Sequence, residues 1–166
     1  MSEDKKAERR REITGACLDC FVKMGLTVTR TKDLCAAANL QNGGIYYYFS
    51  TKEEIVLACA EEAIDRIEKS AFGIVLEDIS DIRSMMERLG ALADKMSPTM
   101  RFLASVCVSR EYGEKVKPAL SRLAARYPYY TGKIAAVLGC APAEVEPFVH
   151  LSILALNNYM IFAERA

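Results

Sequence analysis

Apolar residues recur every three or four positions along almost the whole chain, which is the spacing of helices with one buried face. Helices are predicted over Ala7–Met24, Thr31–Ala38 and Asn42–Phe49, and Gly25 after the first is a typical stop signal. The buried stripe of the first helix is predicted to contain Ile13, Cys17, Leu18 and Phe21. Few segments show the alternation of strands, so the pattern predicts an all-α fold.

The rest of the chain continues the helical pattern. Ser50 and Glu53 have the spacing of a capping box, which predicts a fourth helix from about Thr51 to Phe72. Further helices are predicted over 81–96, from Pro98 to about Tyr112, from Pro118 with a break near Pro128, and over 142–165. The last helix is apolar nearly all round between Phe148 and Phe162, so we expect one side to pack on a second subunit.

Charge is unevenly distributed although the 166-residue chain has no net charge. Residues 1–52 carry a net charge of +3, including the run KKAERRR, and residues 53–166 carry −3. A basic end beside a compact helical module is typical of phosphate binding, and a solvated helix start is the alternative. No apolar run approaches the ~18 residues that span a bilayer. We therefore expect a cytoplasmic protein with no membrane partner.

The polar residues offer little for catalysis. His150 is the single histidine, and no nucleophile motif or Gly-rich phosphate loop is present, so we expect no enzyme activity, no cofactor and no metal. His150 is predicted to lie in the core or at an interface. Of the six cysteines, Cys17, Cys20, Cys35 and Cys59 are predicted to be small core residues. The alternative is a thiol- or metal-responsive switch.

The segment NLQNGGIYYYFSTKEE, residues 39–54, carries the most specific signal. The second helix, a three-residue turn and the third helix have the proportions of a helix-turn-helix. Gly43 and Gly44 would each cost roughly 1 kcal/mol inside a helix, but they allow a close backbone approach to DNA; a loosely formed turn is the alternative. Helical spacing places Ile45 and Phe49 inward. Asn42, Tyr46 and Tyr47 then face outward, where an amide can bond an adenine edge and a phenol can bond a phosphate.

This region resembles the TetR-type bacterial transcription regulators. The resemblance runs from about Arg9 to Leu57 and rests on the first helix with its Gly25, on Asp33-Leu34, and on the G-x-hydrophobic-Y-x-Y-F-x-x-K-E spacing at Gly43–Glu53. It implies a helix-turn-helix head over residues 6–52, with the motif itself at about 30–49. It also implies a helical effector-binding and dimerisation body over 53–166, with the helix at about 51–72 as connector.

The resemblance further implies a homodimer that binds a palindromic operator in double-stranded DNA and that an unknown small-molecule effector releases. Gln41 is a poor helix cap, so Asn42 can take that role. The DNA-binding residues are expected to be Arg30, Thr31, Lys32, Gln41, Asn42, Gly43, Gly44, Tyr46, Tyr47 and Lys52. Thr31, Tyr47 and Lys52 correspond to phosphate contacts, and Lys32, Asn42 and Tyr46 to base-facing positions.

Two further residue sets follow for the body. The effector pocket is expected to be lined by Met85, Met100, Phe102, Tyr112, Tyr127 and Tyr130. The dimer interface is expected to contain Phe148, Leu151, Leu154, Asn158 and Phe162. A protein–protein adaptor on the same fold, without DNA binding, is the alternative function. The sequence identifies neither the operator nor the effector.

Overall fold

The computed structural model describes residues 3–75 and 82–162, and within these ranges all regular structure is helical. The α-helices are α1 (Glu3–Met24), α2 (Thr31–Ala37), α3 (Lys52–Val75), α4 (Ile82–Cys107), α5 (Gly113–Ala124), α6 (Tyr127–Leu138) and α7 (Pro142–Phe162). A single 3-10 turn covers Gly44–Tyr47. The all-α prediction is therefore confirmed. The predicted helix start at residue 81 and the last residues of the predicted final helix lie outside the described residues.

The chain forms two compact units, which are described separately. The first contains the residues up to Ala63 together with Phe102–Lys117. Its core contains Phe21, Leu34, Ile45 and Phe49, each at most 1% exposed. The Phe21 ring stacks on Phe102, with centroids 5.4 Å apart. The end of α4 and the start of α5 therefore belong to the same core as the N-terminal helices.

The second unit contains the described residues of 64–101 and 118–162. Helices α6 and α7 pack around Ala135, Val145 and Val149. The Tyr127 hydroxyl donates to the Glu146 carbonyl at 2.9 Å, which joins the start of α6 to α7. Gly139 ends α6 in the left-handed region at φ 68°, a conformation in which helices commonly end at glycine.

Two predicted helix starts at prolines are wrong. Pro98 lies inside α4, and Pro118 lies inside α5. Proline removes one main-chain donor and costs ~3 kcal/mol in a helix interior. In α4 the buried face continues through the proline, because Leu92, Met96, Thr99, Leu103 and Val106 are all buried at helical spacing. Burial of that face offsets the lost hydrogen bond, so the helix does not restart.

The helix predicted to run to about Tyr112 ends earlier, at Cys107, and Gly113 begins α5. A Cβ atom at this position would lie 2.5 Å from the Cys107 carbonyl oxygen, which belongs to rigid backbone. The close approach therefore requires glycine here. The break before Pro128 is confirmed, since α5 ends at Ala124 and α6 begins at Tyr127.

No single helix among the described residues is both long and apolar enough to cross a membrane. Gly113–Leu138 and Pro142–Ser152 together have the length and apolar composition of a membrane span, but the pair is bent by 114°. Core helices share this length and composition.

Candidate nucleic-acid interface

The start of α2 is fixed by local hydrogen bonds. The Thr29 side chain is buried, and its hydroxyl donates to the Gly25 carbonyl at 2.6 Å. The carboxylate of Asp33, in the first turn of α2, accepts from the Arg30 amide at 2.8 Å. These bonds hold the first turn of α2 against the core. Arg30 and Lys32 are exposed there and Thr31 is half-buried, so all three lie at the surface.

The predicted third helix over Asn42–Phe49 is wrong in type and in length. Gly43 has φ +85°, in the left-handed region, and directly precedes the 3-10 turn Gly44–Tyr47. Residues other than glycine are strained in this region, so Gly43 ends any helical path coming from Asn42. Gln41 and Asn42 lie before the turn and are exposed, and neither caps it. The turn is tight and hydrogen-bonded, with the Gly44 amide donating to the Gln41 carbonyl at 2.9 Å.

The predicted sorting of the aromatic residues is nevertheless confirmed. Ile45 and Phe49 are 0% and 1% exposed, whereas Tyr46 and Tyr47 are 50% and 62% exposed. The two inward side chains clamp the turn on the core and leave both phenols outside. The Thr31 hydroxyl lies 3.4 Å from the Tyr46 hydroxyl, so the start of α2 and the 3-10 turn share one polar surface. We call this surface the docking face; it comprises Arg30, Thr31, Lys32, Gln41, Asn42, Gly43, Gly44, Tyr46 and Tyr47.

Lys52, the first residue of α3, lies beside the start of α2. Its ammonium donates to the Thr29 carbonyl at 2.7 Å, and its side chain is half-buried. A lysine ammonium carries three N–H donors, so this bond leaves two for another acceptor. Lys52 therefore has a structural role in addition to any contact with a ligand. No sequence pattern indicates this contact, because the two residues are 23 positions apart.

The capping box predicted from Ser50 and Glu53 is wrong in register. The Thr51 hydroxyl accepts from the Glu54 amide at 3.1 Å, which is the first half of a box displaced by one residue. The Glu54 carboxylate accepts from the Ser50 amide at 2.7 Å, one residue before the amide that a complete box would use. Glu53 instead pairs with Lys115 at 2.6 Å.

Arg10 is a residue of this site that sequence reasoning missed. Its guanidinium pairs with Glu54 at 2.6 Å, donates to the Tyr48 carbonyl at 3.3 Å and lies 4.6 Å from the centroid of the Phe49 ring. Arg10 thereby joins α1 to the 3-10 turn and to α3. The Ser50 amide, and then Arg10, hold the pKa of the Glu54 carboxyl below its usual value. The available signal in the sequence was the position of Arg10, a long cationic side chain four residues before Thr14 on the buried face of α1.

The cysteines form part of the core of the first unit. Cys17, Cys35 and Cys59 are at most 1% exposed, as predicted, whereas Cys20 is only half-buried. Burial, with the nearby Cys20 and Cys35 thiols, raises the pKa of Cys17 to about 12. A thiol with that pKa is protonated near neutral pH and is a poor nucleophile and metal ligand. Among the described residues no group of three His, Cys, Asp or Glu side chains is placed to hold a metal ion.

The predicted effector-pocket residues fall in different units. Phe102 and Tyr112 are buried in the first unit, and Phe102 stacks on the core there. Met100, Tyr127 and Tyr130 belong to the second unit, where Tyr130 is buried and the other two are half-buried. The side chain of Met85 lies outside the described residues. The six positions are therefore not brought together within one unit.

The predicted interface residues of α7 lie at the surface of the single chain. Phe148, Leu151 and Leu154 are 56%, 66% and 51% exposed, and Asn158 is also exposed. The Phe162 side chain lies outside the described residues. His150 is exposed too, with its ring edge-on to Tyr127 at a centroid distance of 5.3 Å, so it is not a core residue of this chain.

These features define a class of protein: a helical chain whose α2 and following turn present an exposed polar face, in the arrangement of a helix-turn-helix. Residues 13–59 match the family described as "Bacterial regulatory proteins, tetR family". That match covers α1 from its buried stripe onward, α2, the 3-10 turn and the start of α3. The chain is therefore similar to the TetR family over this N-terminal region.

Two curated relatives share part of the sequence. The uncharacterized HTH-type transcriptional regulator YfiR of Bacillus subtilis is 30% identical over 104 residues, which are 59% of this chain and 51% of that protein. The HTH-type transcriptional repressor Rv1474c of Mycobacterium tuberculosis is 31% identical over 67 residues, which are 40% of this chain and 36% of that protein. The matched region thus spans about half or less of these relatives.

Two solved structures share the fold over nearly the whole chain. One, from Rhodococcus sp., is assigned to the TetR family of transcriptional regulators; it has a TM-score of 0.62 at 20% identity and covers 96% of this chain and 90% of its own. The other, from Mesorhizobium loti, has the same assignment, with a TM-score of 0.58 at 19% identity and coverages of 100% and 89%. The likeness establishes the fold of the body as well as that of the head.

Proposed function

We propose that this protein is a sequence-specific, double-stranded DNA-binding regulator of transcription, acting in the cytoplasm as a homodimeric repressor that a small-molecule effector releases. The observation that carries the proposal is the docking face. Its two exposed tyrosines project from a turn clamped on the core by Ile45 and Phe49. The similarity of residues 13–59 to the TetR family supports the same conclusion.

The docking face offers the two kinds of contact that duplex recognition needs. Thr31 and Tyr47 of this face supply hydroxyls for phosphates, and Lys52 beside it supplies an ammonium; such contacts fix the protein on the duplex. Lys32, Asn42 and Tyr46 are the base-facing candidates, since an amide bonds adenine and an ammonium bonds guanine in the major groove. The flanking Arg30 and Gln41 are candidates for backbone contacts. Gly43 and Gly44 present no side chain and let the turn approach the groove closely.

Dimerisation is proposed through the exposed apolar side of α7. Phe148, Leu151 and Leu154 recur at helical spacing, and Asn158 and Phe162 continue the same stripe along the helix. Three adjacent exposed apolar side chains favour burial against an apolar partner, since exposed patches of this kind mark interaction sites. Two heads in a symmetric dimer would read half-sites about 34–36 Å apart, or a multiple of that distance.

An effector site is proposed among the helices of the second unit, with Met85, Met100, Tyr127 and Tyr130 as candidate lining residues. Phe102 and Tyr112, the other two residues predicted to line the pocket, are buried in the first unit.

The test is a selection from random duplexes with the full chain at ~100 mM salt, where specific binding survives the screening of phosphate contacts. A recovered palindrome is the expected result. The absence of any enriched sequence, from a folded dimer under both reducing and oxidising conditions, would contradict DNA binding and favour the adaptor.

The selected duplex then allows a matched pair of variants. Tyr47→Phe removes one hydroxyl from the docking face, and Tyr129→Phe removes one from an equally exposed tyrosine of the second unit. A net hydrogen bond is worth ~0.5–1.5 kcal/mol, so Tyr47→Phe is expected to weaken binding about 2- to 12-fold on all sequences alike. Tyr129→Phe is expected to leave affinity unchanged. Asn42→Ala is expected to alter the preference between sequences rather than overall affinity.

A further inference from the structure

Helix α1 reaches the docking face with its first turns. It begins at Glu3, four residues before the predicted start, so the basic run KKAERRR is helical. The Lys6 ammonium lies 4.8 Å from the centroid of the Tyr47 ring. One helical turn later, the Arg10 guanidinium lies over the Phe49 ring. The cationic side chains of Lys6 and Arg10, on one face of α1, therefore lie over the rings of Tyr47 and Phe49.

The two cations differ in what else they bind. Arg10 pairs with Glu54 and donates to the Tyr48 carbonyl, so its charge is used inside the protein. Among residues 3–75 and 82–162, Lys6 has the Tyr47 ring as its contact and has neither an ion pair nor a hydrogen bond. Its side chain is exposed, and a ring face occupies none of the three N–H donors of an ammonium. Lys6 is thus an exposed cation with all of its donors available, held next to Tyr47.

We propose that Lys6 is a DNA phosphate contact, and that the interface extends from the helix-turn-helix onto the first turns of α1. The proposal rests on the function proposed above. Tyr47 is there a phosphate-contacting residue, and an ammonium seated on its ring lies within reach of the same or the next phosphate. Phosphate is the expected partner rather than a base edge, because lysine acts as a flexible point charge without fork geometry.

The competing interpretation is a surface cation–π pair with no ligand. Such a pair is worth ~0.5–1 kcal/mol at an exposed site and would only orient the Tyr47 ring. The two interpretations differ in salt dependence. Each neutralised phosphate releases counterions and adds about 0.9 to the slope of log affinity against log salt, whereas orienting a phenol adds nothing to that slope.

The experiment measures affinity for the selected duplex between about 50 and 200 mM salt, with the full chain. Three proteins are compared: wild type, Lys6→Met and Arg11→Met. Arg11 is exposed and lies five residues further along α1, so at 3.6 residues per turn it faces about 140° away from Lys6. Both variants lose one positive charge from the same helix end, so they share any long-range effect of net charge.

Lys6→Met is expected to lower the slope by about 0.9, so that its affinity deficit against wild type shrinks about 3.5-fold over this salt range. Arg11→Met is expected to keep the wild-type slope, and Lys6→Arg to restore it. An unchanged slope in Lys6→Met, with or without weaker binding, would overturn the contact and leave the cation–π pair. Equal slope losses in Lys6→Met and Arg11→Met would overturn it as well, as a general charge effect. Failure of the wild-type chain to bind any duplex would instead refute the proposed function.

Discussion

Gly43 and Gly44 are adjacent, but the structure gives them different physical reasons to be glycine. Gly43 has φ +85°, and a Cβ atom built there meets no neighbouring atom within 4 Å. Gly44 has an ordinary φ, and its Cβ would lie 3.5 Å from the Leu40 Cβ, an ordinary van der Waals contact. Alanine at position 43 is therefore limited by backbone conformation alone. At position 44 the backbone conformation and the space within the protein both accept alanine.

The magnitudes follow from this difference. A residue with a Cβ costs roughly 1–2 kcal/mol in the left-handed region. Replacing glycine also restricts the unfolded chain, which contributes about 0.4–1 kcal/mol in favour of folding. Gly43→Ala is therefore expected to lower the free energy of unfolding by about 1 kcal/mol. Gly44→Ala has only the second effect, together with a better helix former in the 3-10 turn, and is expected to be neutral or stabilising by up to about 1 kcal/mol.

Urea unfolding followed by far-ultraviolet circular dichroism measures both variants, at one protein concentration because dimerisation would shift the midpoint. With a slope of 1–3 kcal/mol per molar urea, Gly43→Ala is expected to move the midpoint down by about 0.3–1 M. Equal losses in the two variants, or a raised midpoint for Gly43→Ala, would refute the conformational argument. Binding to the selected duplex then tests the second role. If Gly44 gives close access to the groove, Gly44→Ala weakens binding without loss of stability.

Three further outcomes are expected. The amide of Ser50 lowers the pKa of the Glu54 carboxyl, so Glu54 stabilises the fold at pH values above its unfolded pKa of about 4.3, and that contribution is lost as the pH falls through the folded pKa. The stability gap to Glu54→Gln, at most about 1 kcal/mol for this partly exposed group, should therefore narrow as the pH falls below about 4.3, and a gap that stays constant would contradict the assignment. Because Cys17 is fully buried and burial raises its pKa to about 12, iodoacetamide at about pH 8 should label the half-buried Cys20 before Cys17, which should react only after unfolding, as read by mass spectrometry. Leu151→Asp should give a monomer in sedimentation velocity, whereas Val108→Asp, at an 84% exposed position of the first unit, should stay dimeric; a dimer in both would remove α7 from the interface.

The sequence predicts the core of the head well, because burial follows spacing. Ile45 and Phe49 are four residues apart and both are buried, although the helix that was expected to hold them is a short 3-10 turn. Phe49 follows the turn, and its amide donates to the Ile45 carbonyl at 3.1 Å, a bond between residues four apart as in an α-helix. The inward and outward sets therefore survive an error in the type of helix.

The type of helix at Gly44–Tyr47, the register of the capping box and the start of α4 could not be predicted from the spacing of buried residues. Two adjacent glycines fit a helix that approaches DNA closely, and they fit equally a turn that needs one positive φ. Ser50 and Thr51 both satisfy the capping-box spacing with a glutamate, so sequence cannot choose between registers. Pro98 is a good helix start in isolation, and only the buried face that runs through it shows that the helix continues. In each case the competing local structures are close in energy, and tertiary packing decides.

The polar contacts that fix the docking face come from residues far apart in sequence. Arg10 reaches Glu54 across 44 positions, and Lys52 reaches the Thr29 carbonyl across 23. No periodic pattern connects residues so far apart, so the sequence predicts only that these charged side chains lie at the surface. In the structure both residues join separate elements. Arg10 joins α1 to the Tyr48 carbonyl and to Glu54, and Lys52 joins α3 to the residues before α2.

This arrangement also bears on how effects at the docking face are to be interpreted. The Lys52 ammonium donates a hydrogen bond to the Thr29 carbonyl at 2.7 Å, so replacing Lys52 loosens the loop that precedes Thr31. Weaker DNA binding by Lys52→Ala would therefore combine a lost phosphate contact with a displaced α2. Tyr47 and Lys6 are free of this ambiguity, because neither hydroxyl nor ammonium holds another element of the described structure in place through a hydrogen bond. The cleanest evidence for how the head meets DNA will accordingly come from the exposed pair on its edge rather than from the lysine at the start of α3.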